Sequence, residues 1–140
     1  MSRSRFAITP LCRALLVGAL AQVTVVSMTG AAQLEETFHE QQDQLLRNAE
    51  DMVAHGGMGD AKAIVHHCGE VARFAESLIK QVSTSHPERE ETVVPLNEVI
   101  RQCKRVSEIG GHADPGVLLN PAIKARAAAR SAIRSLRGAQ

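Results

Sequence analysis

The chain has 140 residues, and its 16 basic and 15 acidic side chains give a formal charge of only +1, which does not favour nucleic-acid binding. Hydrophobic residues make up 44% of the chain, but there is no tryptophan or tyrosine and there are only three phenylalanines. This composition permits one domain whose core is built from small side chains. Closely packed helices suit such a core, so we expect an all-α fold.

The first 32 residues have the layout of a secretory signal. Three arginines form a basic start, an apolar run follows over 14–26, and small residues at 30–32 offer a cleavage site. The apolar run is shorter than the roughly 20 residues that a membrane-spanning helix needs. We therefore predict that residues 1–32 are removed, that the mature chain 33–140 is periplasmic or secreted, and that it has no stable membrane insertion.

Four helical segments follow in chain order. Apolar residues recur at intervals of three and four over about 34–55 and 60–82, the spacing of a helix with one buried face, and these segments form a first hairpin at about 34–82. The polar segment 83–93 contains a proline and is interpreted as a linker. A second hairpin covers about 94–137.

Within the second hairpin, one helix is expected from about 94 to 109. The last helix is expected to begin after Asp114 and Pro115, a good cap and first-turn pair. Pro121 could restart it, because proline inside a helix removes a hydrogen bond and clashes with the preceding turn. The clearest helical pattern is therefore at 121–136.

The second hairpin repeats the first, 54 positions later in the chain. The glycine pair at 56–57 returns at 110–111, and Asp60 returns as Asp114. Glycine just after a periodic run ends a helix, and aspartate caps the next one. We predict a duplicated helical hairpin that forms an antiparallel up-down-up-down four-helix bundle, with both glycine turns at the same end.

That topology gathers several metal-ligating side chains near the two turns. They are His55, Met58, Asp60, His112 and Asp114. Imidazole nitrogen, thioether sulfur and carboxylate oxygen suit Cu(II), Ni(II) or Zn(II), and intrinsic affinity favours copper. Asp51, one turn before His55, is a second ligand or a hydrogen-bond acceptor. A simpler alternative is that His55 only interacts with the dipole of its helix C-terminus.

The adjacent histidines of the second helix point in different directions. About 100° separates His66 from His67, so they cannot chelate one ion as residues four apart can. His67 falls on the side of Val71 and Phe74, whereas His66 points toward solvent. We therefore favour His67 as a ligand and interpret His66 as a solvated residue.

Cys68 and Cys103 lie on inward-facing positions at nearly the same depth below the two turns. Three interpretations remain open: a disulfide that joins the hairpins, a soft dithiolate site for Cu(I) with His67, and two buried reduced thiols. Export would place the pair in an oxidising compartment, where a disulfide is permitted.

Charged side chains on the outer helices complement each other. The last helix carries a basic stripe at Arg126, Arg130, Arg134 and Arg137, and the first helix carries several acids. We interpret these charges as pairs between helices, with a dedicated anionic partner as the alternative.

Enzymatic motifs are missing from the sequence. It has no Gly-rich phosphate loop, no CxxCH, no HExxH and no nucleophile with an evident base. We therefore expect that the protein is not an enzyme.

At NAEDMVAHGGMGD (48–60), with HHC at 66–68, the sequence resembles the small metal-binding protein family of exported, histidine-containing helical bundles. The resemblance covers about 49–136, including the second copy GGHAD. It implies a metal-binding bundle in which His55 corresponds to the histidine before the turn glycine and His67 to a histidine of the following helix.

The chain departs from that histidine pattern at several positions, so we expect a reduced metal capacity. The residues that stand where the family pattern favours histidine are Asn48, Asp60 and Phe74 in the first repeat and Ile109, Asp114, Pro121 and Ala128 in the second.

The sequence thus predicts an exported bundle that sequesters copper or another divalent transition metal through helix and turn histidines. The alternative is a structural or protein-interaction bundle that has lost most metal ligands and has a Cys68–Cys103 disulfide. Metal ions are the expected partners, no protein partner is identified, and nucleic acid is not expected.

Overall fold

The computed structural model describes residues 23–85 and 87–138. Its α-helices are α1 (Val23–Gly57), α2 (Ala61–Ser85), α3 (Val93–Ile109) and α4 (Pro115–Gly138), and Pro87–Thr92 forms a 3-10 helix. All regular secondary structure within these described ranges is helical. The prediction of an all-α fold is confirmed, and the four helices are compatible with a four-helix bundle.

The chain divides into two compact units, Met1–Glu36 and Thr37–Gln140. Most of the predicted signal segment falls in 1–22 and lies outside the described residues, so export stays a prediction. The second unit contains the remainder of α1, the other three α-helices and the hydrophobic core.

The core of the second unit repeats with the period of the sequence. Each buried side chain of the first hairpin has a buried counterpart 54 positions later, even where the residue type has changed. The pairs are Phe38/Thr92, Gln42/Leu96, Leu45/Val99, Ala49/Cys103, Met52/Val106, Ile64/Leu118, Cys68/Ala122, Val71/Ala125, Ala75/Ala129, Leu78/Ala132 and Val82/Leu136. The same helical faces are therefore buried in both copies.

Several element boundaries differ from the sequence prediction. α1 begins at Val23, before the predicted start at about residue 34 and within the predicted signal segment. The segment 83–93, predicted as a linker, contains helical structure: α2 continues to Ser85, and Pro87–Thr92 forms a 3-10 helix. Proline is compatible with the first position of a helical turn, where its missing N–H is not needed.

The last helix is continuous through Pro121 and does not restart there. Proline in a helix removes one backbone hydrogen bond. Pro121 is buried together with its neighbour Ala122, and burial of apolar ring surface offsets that loss.

Ion pairs connect α1 to α4, as the complementary charges predict. Glu50 accepts hydrogen bonds from Arg126 at 3.4 Å and from Arg130 at 2.6 Å. Asp43 pairs with Arg137 at 2.7 Å. Because these side chains are substantially exposed, each pair contributes little to stability. The pairs instead favour the arrangement in which α1 and α4 are neighbours.

Candidate metal centre

A turn of three residues between α1 and α2 positions the histidines of the first hairpin. The backbone N–H groups of Met58 and Asp60 both donate to the carbonyl oxygen of His55, at 3.1 and 3.0 Å. Gly59 has a φ of +83°, a conformation that side chains rarely allow. Asp60 then caps α2, its Oδ1 accepting the N–H of Ala63 at 2.9 Å.

Three imidazole rings meet beside this turn. The ring of His55, in the last turn of α1, stacks on that of His67 in α2, with centroids 5.2 Å apart and planes 15° apart. His66 contacts His67 edge-on, with centroids 5.4 Å apart. His66 is exposed, whereas His55 and His67 are half-buried. The two histidines selected from the sequence therefore lie together.

Asn48 fixes the orientation of His67. Its Nδ2 donates to the carbonyl oxygen of Gln44 at 2.9 Å, which leaves Oδ1 as the acceptor facing Nδ1 of His67, 3.1 Å away. Since an amide oxygen can only accept, Nδ1 of His67 carries the proton in this contact. The lone pair of the neutral ring is then on Nε2, the nitrogen available to a metal ion.

The electrostatics of the cluster favour the neutral form of His67. Burial is the largest cause that lowers its pKa below the ordinary 6.5, and the neighbouring His55 and His66 lower it further. The carboxylates of Asp51 and Glu70 act in the opposite direction and raise it. Because burial prevails, His67 presents an unprotonated nitrogen near neutral pH, which metal binding requires.

The residues of the two glycine turns lie at one end of the helices. Met58 and Asp60 line an open depression of 460 Å³ together with Gly111 and Ala113, the neighbours of His112. Within the described chain, no contact joins His112 itself to His55 or His67. The turns therefore come together as predicted, but the histidines of the two hairpins do not form one cluster.

Both turn aspartates already serve as helix caps. Asp60 caps α2, and Oδ1 of Asp114 accepts the N–H of Gly116 at 2.7 Å at the start of α4. Met58 is 72% exposed. Because the two aspartates are engaged as caps and Met58 is exposed, these three residues are weaker candidates for metal ligands than the histidines of α1 and α2.

The two inward-facing cysteines form a disulfide that joins α2 to α3. The Cα atoms of Cys68 and Cys103 are 5.2 Å apart, within the range that disulfides use, and both residues are buried. Bonded sulfurs are not thiolates, so in this state the pair does not offer the soft Cu(I) site considered from the sequence.

The histidine cluster does not have the converged geometry of a closed metal site. Among the residues that the structure describes, no group of three or more His, Cys, Asp or Glu side chains is arranged to hold a metal ion. The stacked rings of His55 and His67 face each other instead of directing two nitrogens at one point. Metal binding here requires a rotation of the His55 ring.

The role of Asn48 is not evident from the sequence, where the resemblance described above would lead one to expect a histidine at this position. A signal was present nonetheless: Gln44, Asn48, Asp51 and His55 recur at helical spacing and form one polar stripe on α1. The relative rotation of α1 and α2, which the sequence does not give, decides that this stripe faces His67.

The comparisons with known proteins provide no relative: no family model, no curated protein and no solved structure matches the chain. The resemblance to the small metal-binding family therefore rests on the residues quoted above. In the part of the chain that the structure describes, no helix has the length and apolar character needed to cross a membrane.

Proposed function

We propose that this protein is an exported, up-down-up-down four-helix bundle that binds a divalent transition-metal ion, with copper favoured, and serves in metal sequestration. The proposed ligands are Nε2 of His67 and a ring nitrogen of His55, with the carboxylate of Asp51 as the third donor. The remaining positions are completed by water or by a further ligand.

One observation carries this proposal: the hydrogen bond from Nδ1 of His67 to Asn48. Metal-ligating histidines almost always donate their second ring N–H to an acceptor, which fixes the tautomer and the ring orientation. Here that arrangement occurs next to a second imidazole and an acidic side chain, Asp51, which interacts with His67. A solvated surface histidine needs no such support.

The proposed ligand set suits borderline metals. Two imidazoles and one carboxylate bind Zn(II), Ni(II) and Cu(II), and the general affinity order places copper highest. Within the described residues the ring of His55 makes no hydrogen bond, so its rotation breaks none. The stacked state is then the metal-free arrangement, and binding reorients one ring.

The bundle topology is part of the proposal and is supported by contacts along the helices. Gln41 near the start of the second unit pairs with Gln81 near the end of α2, at 2.7 Å, whereas Asn48 pairs with His67 farther back along α2. Moving forward along α1 therefore means moving backward along α2, as in an antiparallel hairpin.

Calorimetric titration of the purified protein with Cu(II), Ni(II) and Zn(II), together with thermal melts in metal and in chelator, tests the proposal. A metal that binds only the native state must raise the melting temperature. We expect saturable binding that His55→Ala and His67→Ala each weaken. His39→Ala is the matched control, because His39 lies about 24 Å before His55 on α1 at a rise of 1.5 Å per residue.

Equal weakening by the His39 variant would show that binding is adventitious, and a flat titration would refute the function. The interaction-bundle alternative has less support, because Arg126, Arg130 and Arg137 of the basic stripe are engaged with acids of α1. Within the described chain, Arg134 is the member of that stripe without an ion pair.

A further inference from the structure

A polar cavity lies between the C-terminal half of α3 and the N-terminal half of α4. Its volume is 280 Å³, at the small end of ligand sites. Two cations, two carboxamides and an apolar rim surround it. The principal lining residues are Gln102, Arg105, Ile109, Asn120, Pro121 and Lys124.

This cavity occupies the same place in the second hairpin that the histidine cluster occupies in the first. Gln102 is the counterpart of Asn48, and Pro121 is the counterpart of His67, each 54 positions later. Asn48 and His67 are in contact with each other in the first hairpin, and Gln102 and Pro121 both line the cavity in the second. The repeat therefore provides two equivalent locations on opposite hairpins.

The charges are inverted between these two locations. Arg105 stands where the first hairpin has Asp51, and Lys124 stands where it has Glu70. The imidazoles are replaced as well, with Ile109 in place of His55. A location that carries carboxylates and metal-ligating nitrogens in one copy thus carries cations in the other. A metal cation is disfavoured there, and an anion is favoured.

Two acids lie near this positive charge. Glu108 lines a neighbouring depression together with Arg105 and Gln102. Glu98 interacts mainly with Gln102 and Arg101, which lower its pKa more than Lys124 does. Its oxygens accept hydrogen bonds from Gln102 at 2.7 Å and from Arg101 at 2.8 Å. Within the described residues, Arg105 has no ion pair, so its guanidinium is available.

Hydrogen-bond donors are placed alongside the two cations. Gln102 is only 8% exposed, and one N–H of its amide is used by Glu98 while a carboxamide nitrogen carries two. Asn120 supplies a second carboxamide. The guanidinium of arginine matches two oxygens of one oxyanion in a fork, and lysine adds a point charge.

We propose that this cavity binds a small doubly charged oxyanion, of the phosphate or phosphate-monoester class. Two cations match its charge, the arginine fork and the amides match its oxygens, and the volume limits its size. Val117, which is 56% exposed, and Ile109 provide apolar surface at the rim for a small organic substituent. The site is separate from the histidine cluster and does not depend on metal binding.

Titration of the purified protein with inorganic phosphate and with phenyl phosphate, in the presence of chelator and at low ionic strength, tests the proposal. Amide NMR shifts report where each anion binds. We expect saturable shifts at the cavity and weaker binding in Arg105→Gln and in Lys124→Gln, each by about tenfold, because each variant loses one charged hydrogen-bond donor to the anion.

Lys104→Gln is the matched control, because Lys104 is an exposed cation of α3 that does not line this cavity. An equal loss in that variant would mean that phosphate follows net charge alone and would overturn the site. Absence of saturable shifts would do the same. His55→Ala and His67→Ala must leave phosphate binding unchanged, so failure here is distinguishable from failure of the metal proposal.

A lipid headgroup offers the same chemistry as a free phosphate. Sedimentation with phosphatidylglycerol vesicles separates the two sources. Vesicle binding that Arg105→Gln abolishes, with shifts from inorganic phosphate also present, supports the oxyanion site and adds a lipid as its source. Vesicle binding without any response to inorganic phosphate would overturn a cavity for small oxyanions.

Discussion

Nδ1 of His67 in α2 lies 3.1 Å from Oδ1 of Asn48 in α1, and Asn48 is itself held by the backbone of Gln44. The contact couples the two helices of the first hairpin and leaves Nε2 of His67 free of this partner. It is the structural relationship on which the proposed metal centre depends.

Replacing Asn48 therefore tests the second-sphere role directly. Asn48→Leu removes the acceptor and is expected to lower metal affinity by about 10- to 100-fold, the usual cost of losing such a partner. Asn48→Asp keeps an acceptor at the same place and should retain most of the affinity at pH 7.5. Calorimetry of both variants provides the comparison, and equal affinities for Leu and Asp would rule out the role of Asn48.

The lowered pKa of His67 predicts a pH dependence of stability. In the unfolded chain His67 titrates near its ordinary 6.5, whereas burial keeps it neutral to a lower pH in the folded protein. Above 6.5 both states are neutral and this contribution is fully present. As pH falls from 6.5 through the folded pKa, the unfolded state binds more protons and stability is lost.

Urea unfolding between pH 7.5 and 5 measures that loss, and His67→Gln should reduce it because glutamine does not titrate. NMR titration of the His67 ring gives the folded pKa itself. Asp51→Asn removes a carboxylate that raises this pKa, so it should move the titration of His67 still lower. A titration of His67 above 6.5 in the wild-type protein contradicts the argument.

The Cys68–Cys103 disulfide is expected to stabilise the bundle without taking part in metal binding. Its sequence separation is 35 residues, and restricting a loop of that length in the unfolded chain is worth about 2–4 kcal/mol. The double variant Cys68→Ala/Cys103→Ala should lose this amount in urea unfolding. Its Zn(II) affinity should equal that of the wild type below the melting temperature.

A tenfold loss of Zn(II) affinity in the folded double variant would place the cysteines in the metal site after all. Thiol counting under native and denaturing conditions provides the chemical control. We expect no titratable thiol from either residue until a reductant is added.

Gln42 offers a stability prediction that follows from the repeat. It is 1% exposed, its Oε1 has no hydrogen-bond partner among the residues that the structure describes, and the equivalent residue of the second hairpin is Leu96. Gln42→Leu removes a buried polar group that lacks a partner and should stabilise the protein by about 1–2 kcal/mol.

Gln41→Leu is the matched control for that experiment. Gln41 is half-buried and accepts a hydrogen bond from Gln81 at 2.7 Å, so its replacement loses a contact and should not stabilise. Urea unfolding of both variants gives the answer. Destabilisation by Gln42→Leu would contradict this prediction, because it would mean that the Gln42 side chain makes a net stabilising interaction.

Helical periodicity predicts much of the core correctly, because it depends on spacing within one helix. Leu45, Ala49 and Met52 are buried as their spacing indicates, and their counterparts in α3 are buried as well. Gln42 is buried although it is polar, because it lies on the same face of α1 as apolar residues that pack in the core. The sequence left open a restart of the last helix at Pro121, but α4 is continuous there and the proline is buried.

The candidate site was predictable only where one helix decides the geometry. The choice of His67 over His66 followed from their angular separation on α2. The stacking of His55 on His67, the hydrogen bond to Asn48 and the bond between the two cysteines all depend on the rotation and register of different helices. Those quantities arise from packing, which spacing along the chain does not determine.

The most direct test of the metal centre is an NMR experiment on ¹⁵N-histidine-labelled protein titrated with Zn(II), which is diamagnetic and reports each ring nitrogen separately. We expect that Nε2 of His67 and one nitrogen of His55 shift with saturation, that Nδ1 of His67 keeps its proton, and that His39 does not respond. Zn(II) shifts on His39 equal to those on His67, or no saturable shift at His55 and His67, would contradict this expectation.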